Sequence, residues 1–313
     1  MSAAANRASV KVPASTSNLG AGFDCVGVAV DRWLTASVVV AAQKARDTVM
    51  ITRSGTVASL AESGEDDLVH VGFALACEAR DHPVPSHLEY TVNSSIPTAR
   101  GLGSSAAALI AGAMLANESL ALDLQRGEIA SICARAEGHP DNAGAVVFGG
   151  SVLSVRQRDR DDEFSFSPLT IHPDIKFVFA VPDIEVETAA ARSVLPPSLP
   201  YGTTIAAIAK AAALVRGLET ADAELLAFAL DDVVHVPFRR HLIPGYEQVV
   251  AAAADAGAFG ATFSGSGSTI IAVTNANGAA VAARAMQQEW GRLGMQTEVI
   301  VGAGDVPGAS AIR

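Results

Sequence analysis

The run Pro97-Thr98-Ala99-Arg100-Gly101-Leu102-Gly103-Ser104-Ser105-Ala106-Ala107-Ala108 limits what this chain can fold into more than any other stretch. Before it, Leu88, Tyr90 and Val92 alternate with polar neighbours, the period-two signature of a strand; after it, Ala106 to Asn117 is rich in helix formers. Strand, glycine turn and helix start, in that order, leave several backbone N–H groups free at one point. Gly101 and Gly103 let the backbone take positive φ and approach a ligand closely. Ser104 is expected to cap the helix, and the first-turn amides together with the helix dipole then favour an anion. The segment reads as a phosphate cradle, with an ordinary serine-capped helix as its local alternative. It is not a Walker A loop, because no Lys-Ser/Thr pair closes it, and it lacks the third glycine of a dinucleotide fingerprint.

At 313 residues the chain has room for two domains, each with its own core. Half of the residues are hydrophobic and 18% are charged, which excludes a disordered chain. A net charge of −11 argues against a nucleic-acid groove or an anionic membrane surface, but not against an anionic substrate met by amides, arginines or a metal. Cys25, Cys77 and Cys133 are odd in number and far apart, which excludes a disulfide framework or a cysteine zinc site and fits a reducing cytoplasm. The N-terminus has no signal-peptide character, and no apolar run reaches the roughly twenty residues a membrane helix needs. The expectation is a soluble cytoplasmic protein.

Along the chain, Val10 and Val12 lead into the loop Pro13 to Gly22 (PASTSNLGAG), followed by apolar runs at Phe23 to Val30 and Leu34 to Val40. Residues 41 to 68 read as a surface excursion, 70 to 79 and 123 to 137 as helices, and Ala145 to Phe148 as a strand. The charged stretch 156 to 167 (RQRDRDDEFSFS) reads as a linker, giving domains 1–160 and 161–313. Beyond it come a buried strand at 175 to 181, helices at 206 to 217, 223 to 230, 247 to 256 and 279 to 293, and strands at 270 to 273 and 297 to 301. The elements alternate without a doubly wound pattern, so the fold class is α+β.

Two polar clusters stand out. Asn18 and Asp24 lie around the first glycine loop, where turn chemistry is the plain alternative, although an aspartate in an apolar run needs a partner. Glu137-Gly138-His139-Pro140-Asp141-Asn142 packs four polar functions into six positions at a glycine-bounded junction, against the alternative of a solvated turn. No zinc spacing is present, but one carboxylate with a serine hydroxyl and phosphate oxygens is a set that Mg²⁺ accepts.

Taken together, Val12 to Asp24 (VPASTSNLGAGFD), Pro97 to Ala108 and Gly260 to Thr269 (GATFSGSGST) resemble the first, second and third motifs of the GHMP kinases. Within that superfamily, Glu137 to Asn142 (EGHPDN) and the LIPGY ending at Tyr246 are most similar to the homoserine kinases. The resemblance implies a two-domain GHMP kinase fold, with a left-handed βαβ unit in the N-terminal domain and a ferredoxin-like C-terminal domain. It also implies transfer of the γ-phosphate of ATP to the side-chain hydroxyl of L-homoserine, on the way to threonine.

By the same resemblance Pro97, Arg100, Gly101, Leu102, Gly103, Ser104, Ser105, Ala106, Gly265, Ser266 and Gly267 would bind ATP. Ser105 and Glu137 would hold Mg²⁺. Asn18, Asp24, His139, Thr188, Arg192 and Arg239 would bind the amino acid, Asp24 at its ammonium and the two arginines at its carboxylate. Asp141, Asn142 and Arg192 are the candidate catalytic residues; with no clear base among them, alignment and Mg²⁺ are expected to carry the reaction. For each arginine alone the alternative is a surface salt bridge. The chain departs from the family pattern at Ala189, Ala190, Val236, Phe238 and Ser268. Another GHMP kinase, of mevalonate type, and a non-catalytic sensor on this fold are the rival readings. A homodimer is the expected assembly.

Overall fold

The computed structural model describes residues 6–40, 48–60, 64–157 and 163–312. In chain order its first sheet contains β1 (Asn6–Ser17), β2 (Val26–Val40), β3 (Thr48–Gly55), β4 (His87–Ser94), β5 (Ser151–Arg156) and β6 (Phe164–Leu169), joined by the terminal β11 (Ser310–Ala311). Four helices pack with it: α1 (Leu68–Glu78), α2 (Ser104–Leu120), α3 (Arg126–Glu137) and α4 (Asp141–Phe148). β3 and β4 run parallel with α1 between them, which is the βαβ unit of this half. β2 is a single strand and not two runs. Its register against β1 shifts at Pro13/Ala14, so its first half pairs with β5 and its second with β4.

The second sheet has the order β10-β7-β9-β8, from β7 (Ile175–Pro182), β8 (Gly260–Phe263), β9 (Ile270–Asn275) and β10 (Thr297–Gly302), antiparallel throughout. Numbered within this half, the order is 4-1-3-2, the ferredoxin-like arrangement. Its helices are α5 (Thr188–Ser193), α6 (Tyr201–Thr220), α7 (Ala223–Leu230), α8 (Val236–Arg239), α9 (Tyr246–Asp255) and α10 (Ala279–Arg292). β7 is buried on both faces, which is why it reads as an unbroken apolar run. Ile175, Phe177, Phe179 and Val181 join the large core beneath the first sheet, whereas Val178 and Ala180 join a smaller core around Trp290.

Three expectations change. Ala145 to Phe148 belongs to α4: Val146 and Val147 are buried by packing, which overrides their β preference. Residues 164–167 of the charged stretch, continued by Pro168 and Leu169, pair with β5 as the second arm of a hairpin, so the passage to the second sheet falls between Leu169 and Ile175; 158–162 lie outside the described residues. Of the excursion at 41–68, residues 48–55 form an edge strand, while 41–47 and 61–63 lie outside the described residues. Among the described residues no helix is long and apolar enough to cross a membrane.

Candidate active site

The three glycine- and serine-rich segments meet. Ser264 donates its hydroxyl to the Gly101 carbonyl at 2.7 Å, and its Oγ lies 2.8 Å from Thr16 Oγ1, whose hydroxyl can donate to it. The Gly265 amide donates to the Ser17 carbonyl at 2.8 Å, and the Ser15 amide to that of Leu102 at 3.1 Å. Around this junction lies a cleft of about 250 Å³ whose lining includes Ser17, Asn18, Gly101, Gly103, Ser104, Ser105, Glu137, His139, Asn142, Thr188, Arg192, Arg239, Gly265 and Ser266. Most of the expected site residues are therefore neighbours, although they come from both halves of the chain.

One wall is the start of α2. Its cap is Gly103, in the left-handed region at φ 64°, and not Ser104, which is already the first helical residue; no side chain caps the helix. The first-turn amides of a 17-residue helix are thus left for a ligand, with the positive end of its dipole behind them. Leu102 and Ala106 are buried and shape the turn from inside. Gly267 packs behind Gly101. Arg100 departs from expectation. It forms ion pairs with Asp183 at 2.7 Å and Glu185 at 3.2 Å, and with Pro97 lines a separate surface hollow.

The opposite wall carries the charges. Arg192 grips Asp24 with both nitrogens, at 2.6 and 3.2 Å. Asp24 is not inside a strand but in the turn before β2 at φ 56°, held there by its amide bond to Asn18 Oδ1 at 3.0 Å. Arg239, 1% exposed, donates Nε–H to the Ala191 carbonyl at 2.8 Å, and its Nη1 has no protein partner among the described residues. Burial, then the neighbouring Arg192, pulls its pKa down to about 10. A buried cation with an idle donor at the edge of a cleft is made for an anion. Thr188 Oγ1 stands 3.4 Å from Ser266 Oγ across the cleft mouth.

The floor is the junction of α3 and α4. Burial raises the pKa of Glu137 against the pull of His139 and of a hydrogen bond from Ser105. A carboxylate so placed gains from a cation. With the Ser105 hydroxyl it could offer two oxygens to a divalent cation such as Mg²⁺, which also accepts phosphate and water oxygens. Among the described residues no three His, Cys, Asp or Glu side chains are grouped to hold a metal alone, so the ion would need the nucleotide's oxygens.

Burial opposes charge on His139, but its 2.8 Å bond to Asp141 and the carboxylates of Asp141 and Glu137 outweigh it and raise its pKa. Asp141 is fully buried and also accepts from the Asn142 amide, so it lies under the floor and orients its neighbours. Asn142 is clasped by Ser15 at 2.8 Å and Ser17 at 3.1 Å. Lys11 offers no help with proton transfer, since its ammonium sits 4.0 Å over the Trp33 ring. Burial, then Asp141 and Asp24, raises the Cys25 thiol to about 11, so it stays protonated. Asp141→Asn is expected to change kcat less than about tenfold, because the amide can still orient His139 and Asn142. A general base would cost roughly 10²–10⁴-fold at unchanged KM, which steady-state kinetics distinguishes.

Sequence reasoning passed over one feature. Beside the cradle, and sharing Ser104 and Ser105 with the cleft, lies a second hollow of about 350 Å³. Its apolar lining comes from Leu34, Val57, Leu60, Leu68, Val69, Val92 and Ala108, which are scattered across four elements and the turn after β3, so no single segment signals it.

Residues 67–150 match the GHMP kinases N terminal domain, and residues 202–292 match the GHMP kinases C terminal domain. A homoserine kinase of Synechococcus sp. is 38% identical over 289 residues, 92% of each chain, and one of Crocosphaera subtropica is 36% identical over 304 residues, 96% of each. The crystal structure of homoserine kinase from Cytophaga hutchinsonii superposes with a TM-score of 0.86 at 28% identity, covering 100% of this chain and 99% of that one. L. major mevalonate kinase, at 14% identity and a TM-score of 0.65 over 96% of this chain and 98% of its own, shares the fold. Similarity along nearly the whole length, together with three motifs closing on one cleft, places this chain in the homoserine kinase family of the GHMP kinases.

Proposed function

We propose that the protein transfers the γ-phosphoryl group of ATP to the side-chain hydroxyl of L-homoserine, giving O-phospho-L-homoserine and ADP. One observation carries this reading: a cleft with free helix-start amides on one wall and two guanidinium groups beside a carboxylate on the other. The first wall suits a nucleotide's phosphates, with the apolar hollow beside Ser104 and Ser105 of a size for its base. The second suits a zwitterion. Its carboxylate would lie between Arg192 and Arg239, and its ammonium at Asp24 and the Asn18 side of the turn.

With its ends fixed, the acceptor's hydroxyl faces the cradle. Its oxygen attacks the γ-phosphorus, the bond to the β-phosphate oxygen breaks with its electron pair leaving on ADP, and the hydroxyl proton passes to phosphate oxygen or water. Positioning and charge stabilisation supply most of the rate in such a transfer, and neither needs a strong base. Asn142, fixed by Ser15 and Ser17, orients the hydroxyl. Mg²⁺ held by Glu137 and Ser105 would neutralise the phosphate charge. Glu137→Gln is therefore expected to raise the Mg²⁺ concentration for half-maximal rate at least tenfold to about a hundredfold, the loss that even outer-shell partners cause. An unchanged Mg²⁺ titration would take Glu137 out of the metal site.

A mevalonate-type acceptor has no ammonium for Asp24 and would leave that carboxylate with Arg192 alone. Coupled ADP release with homoserine, threonine, serine and mevalonate tests the reading. Homoserine is expected to be the preferred acceptor, and preference for mevalonate, or Mg·ATP binding with no acceptor turned over, would overturn it.

A further inference from the structure

The two guanidinium groups repel each other, yet the cleft holds both close together; the carboxylates of Asp24 and Asp141 act on both, Glu137 on Arg192 and Asp232 on Arg239, and offset part of that repulsion without fixing where the two side chains lie. Asp24 hydrogen-bonds Arg192 and not Arg239, and among the described residues Arg239 makes one side-chain bond, from its Nε to the Ala191 carbonyl. What both touch is Phe23, a half-buried ring in the turn before β2 and one of few aromatics in a chain only 5% aromatic. The Cζ atoms of Arg239 and Arg192 lie 5.1 and 5.7 Å from its centroid, within the roughly 6 Å over which a ring's negative face attracts a cation.

The ring does not stand alone. Phe23 stacks on His235 at 4.9 Å and 25°, His235 lies 6.2 Å from Phe263, and Phe263 stacks on Tyr246 at 4.4 Å. This column of four rings runs from the cleft into the core of the second half, where Phe263 and Tyr246 are buried. Burial drives the His235 pKa down to about 4, so the second ring is neutral and adds no third cation behind the pair.

We propose that Phe23 is a positioning residue: its ring, braced by the aromatic column, holds Arg192 and Arg239 side by side so that both can meet one anionic group in the cleft. The inference rests on the amino-acid acceptor reading for what that group is, but not for the geometry. Asp24 adjoins Phe23 in the chain, so one turn places the carboxylate and the cation platform together.

The test compares wild type with Phe23→Leu, which keeps apolar bulk, and Phe23→Tyr, which keeps the π face. Homoserine KM is expected to rise roughly tenfold in F23L, with kcat and ATP KM within about threefold of wild type, and F23Y is expected to recover homoserine KM to about threefold. Without any substrate, the side-chain NMR signals of Arg192 and Arg239, displaced by the ring current in wild type, should move in F23L and stay in F23Y. Unmoved arginine signals and an unchanged homoserine KM in F23L, with only a lower melting temperature, would make Phe23 a packing residue and overturn the proposal. If wild type phosphorylated no amino acid while the arginine signals moved in F23L, the acceptor reading would fail and the positioning role would stand.

Discussion

Replacing Arg239 by methionine is expected to lower kcat/KM for homoserine on the order of a thousandfold, about 4 kcal/mol, with ATP binding unchanged. The side chain is 1% exposed, so no water replaces it as partner to the substrate carboxylate. Stability should move the other way. The folded protein pulls the Arg239 pKa down to about 10, so its charged form is disfavoured by folding at every pH below that value, and neutral pH lies well within that range. Methionine fills a similar volume without charge or an idle Nη1, and such replacements are often neutral or stabilising by about 1–4 kcal/mol. The Ala191 carbonyl loses its donor, which offsets part of that gain. The expected result is a nearly inactive protein that melts at or above the parent temperature. A kcat/KM within tenfold of wild type would remove Arg239 from the acceptor site.

Gly101→Ala is the second large effect, and it acts on the opposite wall. At φ 77° a side chain is already strained, and a Cβ there would stand 2.1 Å from the Ser264 carbonyl oxygen and 2.9 Å from the Gly267 backbone. Backbone atoms cannot yield as a flexible side chain would, so the junction of the second and third motifs must open. We expect ATP KM to rise about a hundredfold and stability to fall by roughly 3 kcal/mol, on the order of 6–12 °C in melting temperature. Gly257→Ala is the control: its φ of 84° is similarly positive, but nothing lies within 4 Å of an added Cβ. It should cost about 1 kcal/mol and leave ATP KM unchanged. Equal effects at both positions would show that backbone strain, and not closure of the cradle, governs the site.

How much of this was legible in the sequence follows from how local each cause is. The cradle, the polar junction at 137–142 and the late glycine-rich run are short segments whose residue types state their backbone needs, and all three line the cleft. β7 is legible for the same reason, since burial on both faces leaves an unbroken apolar run. The helix cap at Gly103 was not, because serine is the stronger cap former; only the left-handed turn required by the contacts around Gly101 and Gly103 displaces it by one position. α4 was misread because Val146 and Val147 prefer strands, while the packing that overrides them comes from β1, β2 and α2. Arg100 looked like a phosphate ligand until Asp183 and Glu185, more than eighty residues on, captured it. β3 was missed because an edge strand with an exposed face carries little apolar signal. The platform under the arginines is also non-local, joining Phe23 to rings 212 and 240 positions later.

The most direct test of the central claim is a ternary structure with Mg²⁺, a non-hydrolysable ATP analogue and L-homoserine. The account predicts phosphates at the amides of residues 101–106, the amino-acid carboxylate between Arg192 and Arg239, its ammonium at Asp24, and the hydroxyl oxygen about 3.5 Å from the γ-phosphorus. An amino acid bound with its carboxylate away from both arginines, or a nucleotide whose phosphates avoid the start of α2, would contradict it.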